Sequence, residues 1–208
     1  MRHHVVRFKS LGVALNELER FIRRSGDHLQ TGKPFRQFGG MRSREMLANW
    51  LLCVVGNYTR HADQLTFSSD PIGGDGIITN TVTGETWPTE HVLVLRIPAG
   101  KSANVEALIL KAIAGKQAKG GAAYASGKTL VVFSNAGDHT RWFPSRVARQ
   151  LPGTVDFAAV WIVALQMVEA DGAYVYGVTL LDLSEGNAPT FLVRIAPDFG
   201  SWVVGQIQ

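Results

Sequence analysis

One cysteine, Cys53, stands among 208 residues, so no internal disulfide can form. It lies in the apolar run 46–55, where a packed thiol is the ordinary outcome, and a reducing, cytoplasmic setting is expected. Long apolar runs are also missing. Asn49, Asp156 and Gln166 interrupt the longest stretches before they reach the ~18–20 residues of a membrane span, so no membrane is expected. The opening Met-Arg-His-His-Val-Val-Arg-Phe-Lys is too often charged for a secretory signal. The histidines show no zinc-like spacing with cysteine. Gly115-Lys-Gln-Ala-Lys-Gly lacks the Lys-Ser/Thr ending of a phosphate-binding loop. Ser68-Ser69-Asp70 is not set in a nucleophile elbow.

What remains is an ordinary globular composition with an uneven charge. Residues 1–44 hold ten Lys/Arg against three acids, a net +7, and the rest of the chain is −3. A basic N-terminal helical arm over 1–42, ahead of one α/β domain over 43–208, suits a polyanion such as nucleic acid. A solvated helix face accounts for the same cations equally well. Arg20, Arg23 and Arg24 are the arm's densest cluster.

Leu11, Leu15, Leu18 and Ile22 fall at helical steps. Ser43 can cap a second, buried helix reaching about Val55 and stopped by Gly56-Asn57. Strands are expected at 65–69, 75–81 and 86–97, then a helix over 103–119 and a β-branched strand at 128–134. A short helix at 142–150, a strand at 157–165 and further strands to Val204 complete the chain.

If the turn pairs Val82 with Glu85, Asp75 lies opposite Val92, and Glu90 is its diagonal neighbour on the same face. His91 then points to the other face. Two carboxylates roughly 6–8 Å apart can share a hard divalent ion, or can stand as two solvated acids. On the following helix, Val105, Leu108, Ile109, Ala112 and Ile113 form one apolar face, with Lys116 at its centre and Lys119 at its edge. A lysine so placed either snorkels past the helix end or meets buried negative charge, for which Asp75 and Glu90 are the partners.

The run Gly-Gly-Asp75-Gly-Ile-Ile, then Thr-Glu90-His91-Val92, in a helix–three-strand–helix–strand order over 43–134, resembles the PD-(D/E)XK nuclease superfamily. The resemblance implies a restriction-endonuclease-like mixed sheet, with the N-terminal helix and the strands of a 135–208 extension added. It implies an endonuclease-like protein that uses Mg²⁺ or Mn²⁺ on DNA phosphodiesters. Asp75 and Glu90 would be catalytic and metal-binding, with Glu45 as a third candidate ligand. The family's lysine belongs at position 92, where this chain has valine, and Lys116 is suited to supply the amine. Arg20, Arg23, Arg24 and Lys119 are the candidate nucleic-acid contacts, and a homodimer is compatible with the pattern. The alternative is an inactive nucleic-acid-binding or interaction domain on the same scaffold, with Val92 marking lost chemistry.

Overall fold

Ser10 opens the first helix by accepting a hydrogen bond from the Val13 amide at 3.3 Å. The structure, a computed structural model, describes residues 10–24, 40–98, 101–136, 142–151 and 155–208. The arm's Arg2, Arg7, Lys9, Lys33 and Arg36, and the polar connection over 25–39, lie outside the described residues. Helix α1 (Leu11–Arg23) buries Leu15, Leu18 and Ile22 of the stripe its spacing predicts, leaves Leu11 half-buried and adds Phe21. Those side chains join the core of α2 (Ser43–Arg60) and one face of the sheet.

Helix α2 is apolar nearly all round and is correspondingly buried over 46–55. It runs past Gly56-Asn57 and ends at His61, in the left-handed conformation. Gly56 is there for close packing: a Cβ at that position would stand 2.5 Å from Leu65 Cδ1. Asn57 joins the helix to the first strand, its Oδ1 accepting from the Leu65 amide at 2.7 Å. A glycine read as a stop was a contact point.

Among the described residues eight strands form one curled mixed sheet in chain order: β1 (Leu65–Ser68), β2 (Gly76–Asn80), β3 (Thr86–Val94), β4 (Thr129–Ser134), β5 (Ala159–Val168), β6 (Tyr174–Leu181), β7 (Thr190–Ile195) and β8 (Trp202–Gln206). Helix α3 (Val105–Ala125) links β3 to β4, and α4 (Pro144–Gln150) links β4 to β5. Those crossovers make β3, β4 and β5 parallel, and every other pairing is antiparallel. The chain is therefore an α/β protein. Helices α1 and α2 cover one face of the sheet, α3 and α4 the other. Ile109 and Ile113 anchor α3 through full burial, each contributing about 1.5–3 kcal/mol. Among the described residues no helix is long and apolar enough to cross a membrane.

Further boundaries differ from those the sequence pattern suggests. Strand β3 stops at Val94. Helix α3 continues through Gly120 to Ala125, with a kink at Gly121. The β2–β3 turn is two residues longer than expected, because Asn80 Oδ1 accepts from the Val82 and Thr83 amides at 2.9 and 3.0 Å and the Asn80 amide closes on Glu85 O. Gly76 thus faces Thr89, and the next step of the register carries Asp75 opposite Glu90, not Val92. A shift of two preserves side-chain parity, so the expected pairing of faces survives.

Candidate functional site

Asp75 is the last residue before β2, and the backbone holds it there. Its amide donates to Thr89 O at 3.2 Å. Its Oδ2 accepts from the His91 amide at 2.7 Å, taking the ladder position that β2 has left vacant. Beneath it, fully buried Asn49 of α2 accepts from Thr89 Oγ1 at 2.8 Å and reaches Asp75 O at 3.4 Å. Gly76 permits this crossing: its φ is +154°, and a Cβ there would collide with Asn49 Nδ2.

Glu90 points to the α3 face, with only 6% of its side chain exposed. Lys116 Nζ lies 3.0 Å from Glu90 Oε2 and 3.7 Å from Asp75 Oδ2. The same ammonium donates to His91 O at 3.1 Å. The helical stripe therefore delivers Lys116 to both carboxylates, and the buried-charge alternative prevails over snorkelling. Lys128, at the start of β4, holds the other Glu90 oxygen at 2.7 Å and lies 4.0 Å from the centroid of the Tyr124 ring.

The titration of the cluster follows from these contacts. Burial pushes the Asp75 carboxyl up, but the His91 ring and amide and the Lys116 charge outweigh it and bring the group down to about 2. Burial likewise opposes ionised Glu90, and bonds from Lys128, Tyr124 and Lys116 overcome it, so Glu90 is lowered. Lys116 is raised: desolvation is offset by Glu90 and Asp75. Tyr124 is raised by burial and by its bond to Glu90.

His91 points to the opposite face, as its parity requires. Its side chain is 1% exposed, its Nδ1 lies 3.6 Å from Asp75 Oδ2, and neither ring nitrogen makes a hydrogen bond.

Of the remaining candidates, Glu45 closes the start of α2, its Oε2 accepting from the Arg42 amide at 2.8 Å. Arg23 is spent on structure: it bonds Glu19 at 2.7 Å and Pro197 O at 2.6 Å, and its guanidinium lies 4.8 Å from the centroid of the Phe199 ring. Arg20 and Arg24 are exposed on α1, across the sheet from α3. Lys119 stays with Lys116, lining one groove between α3 and β3.

Sequence reasoning missed Asn49, Tyr124 and Lys128. Lys128 carried a readable signal, since a parallel β4 places its first residues beside those of β3. Asn49 gave none, because only the packing of α2 brings it to Thr89.

The donor set suits a hard cation. Asp75 Oδ2, Glu90 Oε2 and His91 O converge on one ammonium, so three oxygens already surround a positive charge. Asp75 and Glu90 would hold a divalent ion there, His91 O would be the third donor, and Lys116 would have to withdraw. Among the described residues no three His, Cys, Asp or Glu side chains form a metal-holding group, so the remaining ligands would be water and substrate oxygens.

No family model matches the chain, and a search of curated proteins returns no match.

Proposed function

We propose that this protein is a Mg²⁺- or Mn²⁺-dependent phosphodiesterase acting on DNA, on a restriction-endonuclease-like scaffold. The observation that carries the proposal is the convergence of Asp75, Glu90 and the His91 carbonyl on Lys116 Nζ. The succession α2–β1–β2–β3–α3–β4 supports the scaffold. A bound ion would polarise the phosphodiester and lower the pKa of its water. Asp75, already ionised at neutral pH, and Glu90 hold it without a protonation cost. Lys116, released from the carboxylates, remains beside Val92 in the groove and offsets charge on the scissile phosphate. Lys128 keeps Glu90 oriented through its second oxygen.

A second reading has its own support. Lys116 and Lys128 already balance Asp75 and Glu90 without an ion, as a binding domain that has lost its chemistry would require.

Calorimetric titration with Mn²⁺, paired with cleavage of mixed DNA substrates, separates the two. Lys116→Met should bind Mn²⁺ more tightly than wild type, because the competing ammonium is gone, and yet cut more slowly. Asp75→Asn should lose both uptake and cleavage. A wild type that takes up no Mn²⁺ and cuts nothing leaves the binding domain as the reading.

A further inference from the structure

We infer that the groove running from Lys116 along α3 is a track for a single strand of nucleic acid. Its volume is about 580 Å³. Arg96, Lys101, Lys111, Lys116 and Lys119 line it, and among the described residues no acid does. Val92, Leu108 and Ala112 give it an apolar surface. The inference rests on the phosphodiesterase reading only for which end of the track meets the carboxylates.

Charge is the first argument. Lys116 is paired with Glu90 and Asp75, but Arg96, Lys101, Lys111 and Lys119 are exposed at the rim. Four like charges around one concave surface repel, and a chain of phosphates relieves them. The apolar lining decides the form of that chain. A duplex keeps its bases paired inward and would touch only the rim, leaving Val92, Leu108 and Ala112 uncovered. A single strand can set its phosphates on the rim lysines and turn base faces onto the apolar surface.

Length agrees. Leu108 to Lys119 spans about 16 Å of helix at ~1.5 Å per residue, the length of a short run of extended single strand. Val92 acquires a purpose here. It leaves an uncharged, apolar start to the track where a second amine would crowd Lys116.

The test is fluorescence anisotropy of a labelled 12-nucleotide DNA strand, and of its duplex, in EDTA so that metal chemistry plays no part. The strand should bind at least tenfold more tightly than the duplex. Four rim contacts predict a salt slope of about −3, so affinity should fall about 50-fold between 50 and 200 mM salt. The double variant Lys111→Gln/Lys119→Gln should reduce that fall to about sevenfold with an unchanged thermal melt. Arg60→Gln, which removes one cation at the far end of α2, should leave the slope as it was. Equal affinity for strand and duplex, or an unaltered slope in the double variant, overturns the inference. Strand binding by a wild type that takes up no Mn²⁺ removes the phosphodiesterase reading and leaves the track standing. Mn²⁺ uptake and duplex cutting without strand affinity do the reverse.

Discussion

Helices α1 and α3 both carry clustered cations, and the fold uses them in opposite ways. On α1, Arg23 is committed to Glu19, to the Pro197 carbonyl and to the face of Phe199, so it fastens the helix to the β7–β8 turn. On α3, Lys116 is drawn inward by Asp75 and Glu90, while Lys111 and Lys119 face a groove that no acid lines among the described residues. In sequence the first cluster is the more conspicuous. Density of charge along a chain counts cations; it does not tell which of them already have partners.

The contrast can be broken by variants whose effects differ in size. The largest belongs to α3: Lys116→Met should slow Mg²⁺-dependent cleavage by roughly 10²–10³, measured in single-turnover assays, because it removes a charge aimed at the reacting phosphate. Full activity in that variant would reduce Lys116 to a structural counter-ion. Next, Glu90→Gln leaves the Lys116 and Lys128 ammoniums without their shared partner. Urea denaturation should show a loss of about 3 kcal/mol. A loss no greater than that of a surface substitution would mean that the pair is solvated.

Asp75 gives a pH signature of intermediate size. Its folded pKa lies below the unfolded value, so its contribution is complete above about pH 4 and is lost as pH falls through about 2. The difference is worth about 2 kcal/mol, and an Asp75→Asn chain should lack that part of the acid transition in a pH-dependent denaturation series. Matching acid limbs would show that the carboxyl is not perturbed. The smallest effect belongs to α1: Arg23→Met should cost about 1 kcal/mol of stability and change DNA affinity less than twofold. A marked loss of affinity would return the phosphate-binding surface to α1.

The legible parts of the site were those fixed by local periodicity. Helical spacing alone put Lys116 over the carboxylates, and strand alternation put Asp75 and Glu90 together even though the turn was read two residues short. The parity of a strand forgives an even error and would not have forgiven an odd one. The general α/β class and the order of elements were readable for the same reason. Tyr124 and Asn49 were not, because their positions depend on the extension of α3 past Gly121 and on the depth of α2, and Lys128 becomes readable only once β4 is paired in parallel with β3. The glycine signal failed at Gly56, which did not end α2, since it admits Leu65.

The order of the strands bears on how the chain is made. Each strand pairs with the one synthesised just before it, so the sheet can grow at a single advancing edge as the polypeptide emerges. Among the described residues helix α2 is complete before the first strand, and its apolar surface is available for β1 and β2, and later for β6, β7 and β8, to dock against. Trp50 must wait longest, for its edge-on ring partner Trp202, at 5.2 Å between centroids, belongs to the last strand. Until then every intermediate length presents the edge of a more central strand, one that the finished sheet covers, as a template for another nascent chain.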